Sequence, residues 1–178
     1  MPRLFTGLEL PSEIVGALAT LRGGLPGARW IEPENYHVTL RFIGEVNEVL
    51  AHEVASLLAR VRRGPVELRL QDLDSFGGRK PRAVVARFAP SHELMELQAE
   101  HERLMQRMGL EPEGRKFLPH VTLARLRESS NRQVADYLAA RAPVYLPAFT
   151  VSHFVLFSSR MGGGGGPYVV EAAYPLAA

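Results

Sequence analysis

The sequence predicts an α+β fold built from two similar lobes that face each other. Three observations carry this. Strand-like alternation is interleaved with helical stripes along the whole chain. The order of elements begins again halfway. The tetrapeptide His-Val-Thr-Leu occurs twice, identically, at matched places in the two halves.

The elements follow in order. Arg3 to Leu10 mixes apolar and small residues, as in a buried strand. Pro11-Ser12-Glu13 reads as a helix start, with Ile14, Val15, Leu18 and Leu21 on one stripe. Gly23-Gly24-Leu25-Pro26-Gly27 closes it. Tyr36 to Ile43 alternates as a strand, with His37, Thr39 and Arg41 on one face and Val38, Leu40 and Phe42 on the other. Asn47 can cap a helix carrying Leu50, Val54, Leu57, Leu58 and Val61. Val66 to Leu73 reads as a strand that ends at Ser75-Phe76-Gly77-Gly78.

The pattern then restarts. Ala83 to Phe88 is a strand, and Pro90-Ser91-His92-Glu93 opens a helix bearing Leu94, Leu97, Leu104 and Met108. Leu118 to Leu126 is a strand containing His120 and Thr122. Ser130 and Gln133 have capping-box spacing before a short helix through Leu138. Strands around Thr150–Ser158 and Tyr168–Tyr174 flank Gly162 to Gly166, read as a flexible hairpin connection. Helix starts and His-Val-Thr-Leu strands both recur after about 80 residues, too long a period for a solenoid repeat. The chain is read as a single bilobal domain over 1–178, with approximate internal repeats 1–80 and 81–178.

Composition narrows the class. Hydrophobic residues at 46% and charged residues at 22% fit a globular chain rather than a disordered one. No apolar run reaches the roughly 20 residues of a membrane helix. The N-terminal segment lacks the features of a signal peptide. The chain has no cysteine, which excludes disulfides and thiolate metal sites. A cytoplasmic location is the resulting expectation. Net charge is only +2, so no large basic tail clamps nucleic acid, yet all but two of the 21 basic residues are arginine. A guanidinium can grip phosphate bidentately, though codon preference accounts for most of this bias.

The repeated tetrapeptide is where chemistry concentrates. In a strand each histidine projects with the threonine two residues on, while valine and leucine anchor the other face. Imidazole exchanges protons near neutral pH. One histidine can take a proton from water and the other give one to a leaving oxygen, while hydroxyls hold phosphate oxygens. Phosphodiester cleavage needs that set. A lone strand histidine is usually structural; the duplication with threonine argues otherwise. Neither motif has metal-ligand spacing. No Gly-x-Ser-x-Gly elbow or P-loop is present. His52, His92 and His101 fall on helices and are expected to be solvent-facing or partly packed; His153 is read as structural.

The segments Asn35-Tyr36-His37-Val38-Thr39-Leu40-Arg41-Phe42-Ile43-Gly44 and Phe117-Leu118-Pro119-His120-Val121-Thr122-Leu123-Ala124-Arg125 resemble the two motifs of the 2H phosphoesterases. The branch they are most similar to is the RNA 2′,3′-cyclic phosphodiesterases, also called 2′-5′ RNA ligases. The resemblance implies two pseudo-symmetric lobes, each an antiparallel sheet with helices packed outside, around a central cleft. It implies hydrolysis of RNA 2′,3′-cyclic phosphate ends to 2′-phosphates without metal or cofactor, and a possible reverse, ATP-independent 2′-5′ ligation. His37 is then the proton donor to the departing 3′ oxygen and His120 the proton acceptor from water. Thr39 and Thr122 hold the phosphate, and Arg125 neutralises it.

Strict alternation puts Arg125 on the wrong face, so a bulge must turn it inward. Arg41, on the histidine face, is a second phosphate candidate. Phe42 can stack on a base or pack in the core. The expected partner is an RNA 3′ end, with no membrane and a monomeric protein. Two rivals remain: an enzyme of the same superfamily acting on a small cyclic or 2′-5′-linked nucleotide, and a non-catalytic RNA-end-binding module. The second predicts loss of a histidine or threonine, and all four are present.

Overall fold

A computed structural model describes residues 3–159 and 166–177. Ten strands and four α-helices follow one another along them: β1 (Arg3–Glu9), α1 (Ser12–Ala19), β2 (Ala28–Trp30), β3 (His37–Glu45), α2 (Glu48–Leu58), β4 (Val66–Leu68), β5 (Leu70–Gly77), β6 (Pro81–Phe88), α3 (His92–Arg107), β7 (His120–Leu126), α4 (Asn131–Arg141), β8 (Phe149–Val151), β9 (His153–Ser159) and β10 (Val169–Pro175). The fold is α+β. Most of the Gly162–Gly166 connection lies outside the described residues.

The helix starts behave as their sequences direct. Asn47 accepts a hydrogen bond from the Leu50 amide and Ser91 from the Leu94 amide. Ser130 and Gln133 form both bonds of a capping box. Each satisfies amides that a helix start leaves without an internal partner. Only α1 lacks such a cap: Pro11 precedes it and has no side chain to offer.

One large antiparallel sheet carries the strands in the order β10-β9-β1-β3-β7-β6-β5, with β2 added beside β7. Its two halves meet at β3 and β7, which share one paired position, Val38 with Val121. The sheet therefore splays on either side of that point. The halves do not coincide with the sequence repeats. C-terminal β9 and β10 join β1 and β3, while β5, from the first repeat, joins β6 and β7. Two of the strands read from sequence are each broken: Val66 to Leu73 into β4 and β5, and Thr150 to Ser158 into β8 and β9. The pieces β4 and β8 pair as a separate two-stranded sheet.

Helices cover one face. Val38, Leu40, Val121 and Leu123 point into a core shared with Val54 and Leu58 of α2, Leu94 and Leu97 of α3, and Val134 of α4. The other face, bearing the alternate residues, is left open as a cleft floor. His101 departs from expectation. It is fully buried in α3, with Nδ1 2.8 Å from the Thr6 hydroxyl and its ring edge-on to Phe154. Its place on the Leu94–Leu97–Leu104 stripe explains why.

Candidate active site

Strand register assembles the site. Because Val38 pairs with Val121 in antiparallel sense, continuing the ladder sets His37 opposite Thr122 and Thr39 opposite His120. The two imidazoles thus flank the single paired position, one on each strand, on the cleft face. His37 lies close enough to His120 and Arg125 for both charges to act on it.

Each ring is oriented the same way. Nδ1 of His37 lies 2.9 Å from the Asn35 carbonyl, and Nδ1 of His120 lies 2.7 Å from the Leu118 carbonyl. A carbonyl only accepts, so Nδ1 carries the proton and Nε2 is the working nitrogen on both rings. Nε2 of His37 receives a hydrogen bond from the Thr39 hydroxyl at 2.8 Å. Nε2 of His120 makes no bond to a described residue.

The surroundings differ. His37 is sheathed by the rings of Phe5, Phe157 and Tyr168, with centroids 4.9, 5.4 and 5.1 Å away. Burial among them pushes its pKa down to about 4, with the nearby positive groups adding to the effect. His120 has one such neighbour, Phe76, edge-on at 4.8 Å. Its pKa is also lowered by burial. Gly7 makes room for the first arrangement: a Cβ there would sit 2.6 Å from the Val38 carbonyl oxygen and press on the Phe157 ring.

A bulge decides the remaining candidates. Gly7 pairs with Thr39 and Thr6 with Arg41, which leaves Leu40 as an extra residue in β3. In β7, Val85 pairs with Thr122 and Val84 with Ala124, which leaves Leu123 extra. Beyond each bulge the alternation inverts. Arg125 is thereby turned to the His120 face and is exposed.

The same inversion overturns the faces read for the first motif. Arg41 does not share the histidine face. It is 6% exposed on the helix side, where Nη2 meets Glu102 at 3.0 Å, Nε meets the same carboxylate at 3.2 Å, and the Glu111 and Phe42 carbonyls accept further bonds. It is a structural cation and not a phosphate candidate. Phe42 takes the outward position, 53% exposed, its ring 5.9 Å from Phe5 beside His37. The sequence signal was the alignment of the two motifs, in which Phe42 matches Arg125.

Beside His37 a cavity of about 330 Å³ lies among Glu9, Ser12, Glu34, Tyr36, Phe157 and Tyr168. Sequence reasoning missed it, because its walls come from β1, α1, the turn before β3, and the C-terminal strands. Among the described residues no group of three His, Asp or Glu side chains is spaced to hold a metal ion. No helix among them is long and apolar enough to cross a membrane.

The chain is similar along its length to a known family. A family model described as LigT-like phosphoesterase matches twice, over residues 8–86 and 88–168. An RNA 2′,3′-cyclic phosphodiesterase of Aeropyrum pernix is 41% identical over 125 residues, covering 66% of this chain and 70% of its own. One of Methanocaldococcus jannaschii is 26% identical over 171 residues, covering 94% and 97%. The crystal structure of E. coli LigT complexed with 3′-AMP superposes with a TM-score of 0.78 over the full length of both chains, at 26% identity. A chain with paired His-x-Thr strands across one cleft, matched by the same model in each half, belongs to the LigT-like phosphoesterase family.

Proposed function

We propose that this protein opens the 2′,3′-cyclic phosphate at the end of an RNA to a 2′-phosphate, without metal or cofactor. The observation that carries the reading is that two imidazoles flank the one pairing of β3 with β7, each with a carbonyl on Nδ1 that leaves Nε2 as its working nitrogen. The names of the relatives in Aeropyrum pernix and Methanocaldococcus jannaschii support the substrate class.

The division of labour follows from the two environments. His120, whose Nε2 has no partner among the described residues, takes a proton from water. The resulting hydroxide attacks phosphorus. The bond from phosphorus to O3′ breaks in line with the attack, and Nε2 of His37 delivers a proton to O3′. The sheath of aromatic rings keeps the His37 imidazole neutral in the free site, and the negative phosphate favours the imidazolium that then donates. His120 ends protonated and His37 neutral, and exchange with solvent restores the pair. Thr39 and Thr122 donate to the non-bridging oxygens, and Arg125 offsets their charge. The terminal ribose then lies over His37, with the neighbouring cavity and the exposed Phe42 ring available to a base.

Attack by a 5′-hydroxyl in place of water uses the same groups and yields a 2′-5′ linkage. The test is to incubate EDTA-treated protein with an RNA ending in a 2′,3′-cyclic phosphate and map the new terminus. A 2′-phosphate is expected. A 3′-phosphate terminus, or activity that requires added metal, contradicts the reading.

A further inference from the structure

We infer that Arg29 and Arg125 form a two-step phosphate ladder, in which Arg29 binds the phosphodiester immediately 5′ of the reacting nucleotide and so makes the enzyme prefer chains over cyclic mononucleotides. The inference rests on the proposed function and names the substrate feature that the site selects.

The register places the pair. Arg29 of β2 lies directly opposite Arg125 of β7, flanked by Ala28 with Leu126 and Trp30 with Ala124. Directly opposed residues share a face. Trp30 packs toward Tyr137 of α4, on the helix side. Arg29 therefore points the other way, onto the cleft floor with Arg125, and both are exposed.

Two like charges directly across a ladder destabilise it. Three other arginines are held by acids: Arg41 by Glu102, Arg63 by Glu100 and Arg87 by Asp72. Neither the Arg29 nor the Arg125 guanidinium has a hydrogen bond or ion pair to any described residue. An anion between them or along them relieves the repulsion.

Distance along the strand separates their tasks. From Thr122 to Arg125 is three residues, one of them the extra residue of the bulge, so the arginine pair lies about two strand steps, or ~7 Å, beyond the row of Thr122 and His37. Arg29 stands on the β3 side of β7, the side that carries His37. The proposed pose sets O3′ of the terminal ribose at His37 and turns the sugar's 5′ side toward Arg29. A cyclic mononucleotide has no phosphate there, whereas any longer RNA has one.

The test uses adenosine 2′,3′-cyclic phosphate and the diadenosine dinucleotide ending in the same cyclic phosphate. Wild type is expected to show the higher kcat/KM on the dinucleotide. Arg29→Gln should lower that preference by about tenfold, through KM, because one charge-assisted phosphate contact is lost. The salt dependence for the dinucleotide should weaken, since one screened charge contact is lost. Arg29→Lys should recover most of the preference, and Arg29→Gln should melt no lower than wild type. An equal loss on both substrates, or none on either, overturns the ladder and leaves the hydrolytic function standing. Turnover of neither substrate by wild type removes both.

Discussion

The buried state of His37 makes a quantitative claim about how the acid is armed. With its pKa at about 4, the imidazole of the empty site is almost wholly neutral at pH 7 and has no proton to give. A phosphate supplies what is missing. One anionic charge about 4 Å from the imidazolium, at an effective dielectric of about 20, contributes about 4 kcal/mol, or close to three pKa units. The occupied site therefore holds His37 near pH 7, and the substrate's own charge loads its proton donor. Sulfate is a suitable probe, since its charge is constant across the range, and carrying two charges it should shift His37 at least as far. Imidazole resonances followed by NMR from pH 3.5 to 8 report the midpoint with and without saturating sulfate. The expected result is a rise of about three units at His37, accompanied by proton uptake on binding near pH 5.5. A midpoint in the free protein near 6.5, or one that sulfate leaves in place, refutes the reasoning.

Other consequences follow from the inverted faces and the buried core. Arg125→Ala should cut kcat/KM by about 10²-fold with the melting temperature unchanged, because the guanidinium proposed to meet the phosphate is exposed and holds no described residue in place. Glu102→Ala should do the reverse. It strands the buried Arg41 cation, at a cost of about 3–5 kcal/mol, or a fall of roughly 6–20 °C in Tm, while activity per folded molecule persists. If Arg41 served phosphate instead, an Arg41 variant would raise KM without such a fall. His101 predicts an acid limit to stability. Its folded pKa of about 3 lies below the ordinary 6.5, so the native state binds fewer protons, and stability is full above pH 6.5 and lost as pH falls toward 3. The loss from this group reaches about 4–5 kcal/mol at the acid end. Denaturation at pH 7, 5 and 4 measures it, and His101→Gln should show a shallower decline; parallel curves contradict the assignment.

The histidine pair was legible in the sequence for a local reason. His-x-Thr needs only the two-residue period of a strand to put both side chains on one face, and the paired valines that join the lobes lie inside the same tetrapeptides. The Ser130–Gln133 and Asn47 caps were equally local. What sequence missed depends on contacts between distant segments. The bulges at Leu40 and Leu123 are set by pairing with β1 and β6, and they exchange the faces of Arg41 and Phe42. Arg125 was read as needing such a bulge; the same reasoning applied to the matching position would have turned Phe42 outward too. The strand β2 is three residues long, too short to alternate, so its arginine could not be aligned with Arg125. His101 was detectable, because it fills the gap between Leu97 and Leu104 on the apolar stripe of α3.

The claim that two histidines divide one proton transfer is tested most directly by removing the need for the acid. Replacing the bridging O3′ of the cyclic phosphate with sulfur gives a thiolate leaving group that departs without protonation. On the oxygen substrate both His37→Ala and His120→Ala should lose about 10²–10⁴-fold in kcat. On the sulfur substrate His37→Ala should return to near wild-type turnover, while His120→Ala stays impaired. Equal impairment of both variants on both substrates, or rescue of His120→Ala instead, contradicts the account.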